Sequence, residues 1–102
     1  MPTDRLAPKA ALAIKAAIRL AQGREVCFVC GLDEDGVLQS ARVASRGDVG
    51  RVLALPGFAQ RGEMLVHNHP SGILEPSSAD REVAARIHED GIGFAIVDNF
   101  AT

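Results

Sequence analysis

The chain has neither tryptophan nor tyrosine and only four phenylalanines among its 102 residues. So few rings leave no platform on which unpaired nucleic-acid bases could stack, and the core has to be built from Ala, Val, Leu and Ile. An excess of charge of one sign is missing as well. Eleven basic and 13 acidic side chains give a formal net charge of −2, which offers no general basic surface to phosphate backbones or anionic lipid. Direct nucleic-acid binding and membrane association are therefore not expected. No apolar run approaches the ~20 residues a membrane-spanning helix needs. The opening MPTDRLAPKAALAIKAAIRLAQ is interrupted by Arg5, Lys9, Lys15 and Arg19 and does not read as a signal peptide. Cysteine is limited to Cys27 and Cys30, too close together for a structural staple. With nothing to suggest export, a reducing cytoplasm is the expected location.

What is present is an ordinary globular composition, 47% hydrophobic and 24% charged, in a chain long enough to bury a core without staples. A single domain, residues 1–102, is expected. Apolar positions Leu6, Ala10, Leu12, Ile14, Ala17, Ile18 and Leu20 recur with roughly helical spacing in an Ala-rich stretch that ends near Gly23. EVCFVCGL, DEDG and VLQSARVAS read as a β-hairpin turned at Asp35-Gly36. Val49, Val52, Leu53 and Leu55 before Pro56-Gly57 suit a short helix that fades into a loop. MLVH reads as a buried strand, Ser78 to Asp90 as a helix with Val83, Ala84 and Ile87 inward and Gly91 closing it, and GFAIVD as a last strand. This order of elements predicts a layered α/β (α+β) domain around a mixed sheet. Because the last strand stops so near Thr102, a sheet edge is expected to be missing, as in a fragment or N-terminal module of a longer protein.

The chemistry concentrates in residues 64–80, MLVHNHPSGILEPSSAD. Side chains two apart on a strand point to the same side, so His67 and His69 can present two imidazoles to one point while Asn68 turns away. Neutral imidazole suits zinc, and catalytic zinc sites use three protein ligands. Pro70, Gly72 and Pro76 shape a loop that reverses the chain into a helix whose first turn carries Asp80. Taken alone, Ser77-Ser78-Ala79-Asp80 reads as a helix cap, with the acid favoured by the helix dipole. Capping accounts for the end of this path but not for the paired histidines at its start. A hydrolytic metal site also needs a carboxylate to move protons. Glu25, an acid at the opening of an apolar strand, is the candidate. On that strand Glu25, Cys27 and Val29 share one face, and Val26, Phe28 and Cys30 share the other.

Glu25, then His67-Asn68-His69, then seven residues and Ser77 to Asp80, resembles the JAMM (MPN+/JAB) metalloprotease motif; HNHPSG followed by PSSAD looks most like its bacterial RadC-like branch. The hairpin REVCFVCGLDEDGVL resembles the Glu-bearing hairpin of that branch, and the likeness runs from about Arg24 to Asn99. The resemblance implies a mixed sheet flanked by helices in a cytidine-deaminase-like architecture. It implies Zn2+ held by His67, His69 and Asp80, with Glu25 as general acid/base and Ser77 stabilising the oxyanion. The expected reaction is hydrolysis of an amide, isopeptide or peptide bond, with a peptide or the tail of a ubiquitin-like or sulfur-carrier protein as substrate. The alternative is a metal-containing binding or scaffold module of a larger, DNA-processing protein; scaffold members usually lose ligands, and this set is complete. No long insertion of the kind that grips ubiquitin in eukaryotic relatives is visible.

The other candidates are weaker. On a strand, Cys27 and Cys30 face opposite sides, so one ion cannot take both. The H-x-E…P-C-x-x-C deaminase signature is not met, because the C-x-x-C precedes the histidines and neither histidine is followed by glutamate two residues on. The adjacent letters HNH match a nuclease name only by coincidence. His88 lies about 12 Å further along the helix from Asp80 and reads as surface. Asp33-Glu34-Asp35 reads as a solvated turn.

Overall fold

The computed structural model describes residues 6–47, 49–54 and 57–100. The chain runs α1 (Pro8–Leu20), β1 (Val26–Leu32), β2 (Leu38–Arg46), a 3-10 helix (Val49–Ala54), β3 (Met64–Asn68), α2 (Ser78–His88) and β4 (Gly93–Val97). The predicted order of elements is the observed one, and the sheet is mixed. Its strands lie in the order β2-β1-β3-β4, with β1 antiparallel to both β2 and β3 and with β4 parallel to β3. A parallel pair needs a crossover connection, and α2 supplies it.

Burial explains why β1 and β3 are the central strands. Val26 to Cys30 are all buried, as are Leu65 to Asn68, so both faces of these strands need cover. On one face Val26, Phe28, Cys30, Val66 and Val97 pack with Ile14 and Ile18 of α1. On the other, Cys27, Val29 and Leu65 pack with Val83 and Ile87 of α2 and with Val49 and Val52 of the 3-10 helix. The result is three layers, and the alternation read along β1 is the alternation observed. Cys27 and Cys30 accordingly belong to opposite layers.

Three local details differ from the pattern in the sequence. The buried stripe of α1 is narrower than its apolar content, because only Ala10, Ile14 and Ile18 are buried while Leu12 and Leu20 face outward. Leu6 lies ahead of the helix and bridges to Leu38 of β2; Pro8 begins the helix, where its missing N–H costs nothing. α2 ends at His88 rather than Asp90; Gly91, at φ 73°, then reverses the chain. The hairpin turns at the expected place, organised by Asp33, whose Oδ1 accepts from the backbone N–H groups of Asp35 and Val37, both at 2.9 Å. Asp33, Glu34 and Asp35 are exposed, as is His88. Leu55 and Pro56, read as the fading end of the short helix, lie outside the described residues, as do Ala101 and Thr102.

Burial pushes the Cys30 thiol up to about 12, so almost no thiolate exists near neutrality. Native protein treated with a maleimide at pH 8 should leave Cys30 and the equally buried Cys27 unmodified, whereas urea-unfolded protein should take two labels. Rapid single labelling of the native form would contradict this packing.

Candidate metal centre

The site lies where β3 leaves the sheet. β3 delivers His67, and the chain stays extended for one more residue, with the His69 N–H donating to the Val97 carbonyl at 2.8 Å. The two imidazoles therefore emerge on one side, with ring centroids 4.8 Å apart and planes at 75°. Phe94 of β4 backs His67, at 5.5 Å between centroids. The loop then folds back onto His69. Gly72, at φ 81°, donates its N–H to the His69 carbonyl at 2.9 Å, and the Ile73 carbonyl lies 2.7 Å from His69 Nδ1. A carbonyl can only accept, so Nδ1 carries the proton and Nε2 is left with its lone pair in the neutral ring.

Asp80 returns from α2, almost fully buried. Its Oδ1 lies 2.8 Å from His67 Nε2, and its Oδ2 lies 2.9 Å from His69 Nε2. The same Oδ2 accepts from the Ser77 N–H at 2.8 Å, while Ser77 Oγ accepts from the Asp80 N–H at 3.1 Å. The reciprocal pair is a complete capping box. Asp80 is thus both the N3 partner of the Ser77 cap and a candidate ligand, and the two readings of it do not compete. Glu25 reaches the cluster from just ahead of β1, its Oε1 3.0 Å from His67 Nδ1, with its side chain 30% exposed. Sequence reasoning singled out Glu25, His67, His69, Ser77 and Asp80, and the structure brings all five together.

Donor chemistry tests whether this group fits a cation. Both ring nitrogens of His67 are buried and lie within 3.0 Å of a carboxylate oxygen, yet neither contact has the angles of a hydrogen bond. In its neutral form His69 presents the Nε2 lone pair to Asp80, because Nδ1 faces the Ile73 carbonyl. Burial pulls the His67 pKa down against the opposing pull of Asp80 and Glu25, which favours the neutral ring. Burial also pushes the Asp80 carboxyl up, but the hydrogen bond from the Ser77 N–H leads the contacts that hold it below its usual range, so it is ionised. Lone pairs thus face lone pairs around a buried negative charge, an arrangement that a cation relieves. The donor atoms of His67, His69 and Asp80 all lie within 4.8 Å of one another. Two imidazoles and one carboxylate form a common catalytic zinc set, so the residues fit a metal.

Asn68 turns away from the two imidazoles, as expected, and on the α1 face it is fully buried and hydrogen-bonded, a role not read from the sequence. The available signal was an amide inside an otherwise apolar strand, which demands partners.

Fold and site together define a class: a three-layer mixed-sheet domain with a His, His and Asp group that can hold a metal. A family model described as RadC-like JAB domain matches residues 60–99. A UPF0758 protein of Chromohalobacter salexigens is 41% identical over 68 residues, covering 64% of this chain and 29% of its own length. One from Shewanella piezotolerans is 44% identical over 54 residues, covering 53% of this chain and 23% of its own. One from Rubrobacter xylanophilus is 53% identical over 38 residues, covering 35% and 17%. These matches support a RadC-like JAB/MPN family assignment, and the chain spans less than a third of the length of these relatives. Among the described residues no helix is long and apolar enough to cross a membrane.

Protein purified from zinc-replete medium is expected to carry about one zinc per chain by elemental analysis and to lose it in His67→Ala or Asp80→Ala. Folded wild type that stays metal-free in that medium would overturn the site.

Proposed function

We propose that this domain is a zinc-dependent hydrolase of the JAMM type, cleaving an amide, isopeptide or peptide bond. The observation that carries the reading is the position of Glu25. It is a partly exposed carboxylate outside the three-residue donor set, just ahead of β1, with an oxygen 3.0 Å from the ring of one donor. A purely structural metal site has no use for such a group, because structural zinc sites are closed by their ligands.

His67, His69 and Asp80 would hold the ion. When bound there, zinc supplies Lewis acidity that polarises a carbonyl and makes water nucleophilic near neutral pH. Glu25 takes the proton of the attacking water as the new C–O bond forms. It then passes that proton to the amine nitrogen as the C–N bond breaks. Ser77 is exposed and its hydroxyl oxygen accepts from the Asp80 N–H; its O–H would turn to the carbonyl oxygen as that atom gains charge. Peptides and the tails of ubiquitin-like or sulfur-carrier proteins present an amide that can enter such a site in extended form. Within the longer proteins typical of these relatives, a metal-containing module without turnover is the alternative, and one variant separates the two.

Glu25→Gln should keep zinc and lower hydrolysis of a panel of peptide and lysine-isopeptide probes by about 10²- to 10⁴-fold, the usual contribution of a positioned acid/base. Wild-type-like turnover in that variant would remove Glu25 from the mechanism. A wild type that binds zinc but cleaves none of the panel would favour the non-catalytic module.

A further inference from the structure

The paired register of β1 and β3 runs from Cys30 opposite Met64 to Cys27 opposite His67, and there it stops. The next position would set Val26 opposite Asn68 and bring Glu25 alongside His69. Backbone groups left unpaired at such a point are costly when buried. Here the Asn68 side chain takes the place of the missing ladder. Its Oδ1 accepts from the Val26 N–H at 2.7 Å, and its Nδ2 donates to the Arg24 carbonyl at 3.1 Å. The two bonds grip the residue before Glu25 and the residue after it.

The amide's orientation is fixed by its partners. Oδ1 faces an N–H, which only donates; Nδ2 faces the Arg24 carbonyl and, at 2.7 Å, Asn99 Oδ1. Asn99 is fixed in turn, because its Nδ2 donates to the Gly23 carbonyl at 3.1 Å. A relay of two amides therefore ties the end of β3, the segment after β4 and residues 23–26 into one unit. Both Asn68 donors and an acceptor are used, and the residue has no exposed surface. Such a network admits one arrangement of the backbone that carries Glu25.

We infer that Asn68, seconded by Asn99, is a positioning residue that holds Glu25 over the metal-binding histidines, a role whose catalytic consequence rests on the hydrolase reading above. Asn68 touches neither the donor set nor the substrate. It acts through the backbone on either side of Glu25, and its neighbours His67 and His69 do their work on the opposite face of the strand.

Zinc-loaded wild type, Asn68→Ala and the milder Asn99→Ala test this in two ways. In crystal structures, Glu25 Oε1 is expected to move from 3.0 Å to beyond about 4 Å from His67 Nδ1 in Asn68→Ala. Amide hydrogen exchange at Val26 should accelerate by about 10-fold or more while Val29, in the middle of β1, is unchanged. Asn99→Ala should shift both readouts the same way by less, and it carries the test if Asn68→Ala does not fold. Zinc stoichiometry should be unchanged in both variants. On any probe amide that the wild type cleaves, kcat should fall about 10-fold or more at unchanged KM. Introducing the same substitution into Glu25→Gln should cost nothing further, because the two act as one unit. A Glu25 that keeps its position with unaltered Val26 exchange overturns the inference, as does an equal loss of kcat in the Glu25→Gln background. If the wild type cleaves no probe yet Glu25 is displaced in the variants, the positioning role stands and the hydrolase reading fails.

Discussion

The carboxylate of Asp80 is the group on which the site depends. Three structural relationships meet on its two oxygens: α2 begins there through the capping box, and the imidazoles of His67 and His69 both contact it. A buried charge of this kind is tolerated only with partners on every side. The first-turn position lends it the positive end of the helix dipole, and the Ser77 N–H donates a hydrogen bond to its Oδ2. The remaining demand is met by nitrogens whose lone pairs also call for a positive centre. Helix initiation and candidate metal ligation are therefore one physical requirement, and removing Asp80 disturbs both.

The sheet does the rest of the assembly. Because β1 runs antiparallel to β3, the register that pairs Cys27 with His67 brings the start of β1 to the end of β3. Glu25 is thereby delivered to histidines far from it in sequence. Because β4 runs parallel to β3, α2 must cross the sheet between them, and its N-terminus starts at the same end of β3. Loop 70–77 closes the short path between histidines and helix, and the Ile73 carbonyl sets the tautomer of His69. Each contribution uses a different element, yet all converge at one strand end, where ligands of mixed sheets are commonly bound.

Local signals made much of this legible. The continuous apolar runs VCFVC and MLVH, whose successive side chains take opposite faces, and the cap letters before α2 depend on neighbours in sequence, so the element order and the two faces of β1 could be read directly. The five site residues were legible because strand periodicity places His67 and His69 together, a stiff loop returns Asp80 and Glu25 is an acid at the opening of an apolar strand, while the family resemblance adds the oxyanion role of Ser77. Sheet order was not legible, because strand neighbours are chosen by long-range packing. The role of Asn68 was not legible for the same reason: its partners Arg24, Val26 and Asn99 lie 44, 42 and 31 residues away. The outward turn of Leu12 and Leu20 shows the converse limit, since apolar letters on a helix do not all become core.

The most direct test of the account is X-ray absorption of the zinc-loaded protein. The account predicts a shell of nitrogen and oxygen at about 2.0–2.1 Å, with two imidazoles and a carboxylate among the scatterers and no sulfur. Cys27 is the cross-strand neighbour of His67 and the obvious competitor. A sulfur scatterer at about 2.3 Å, or a shell with fewer than two imidazoles, would contradict the claim that His67, His69 and Asp80 form the metal centre.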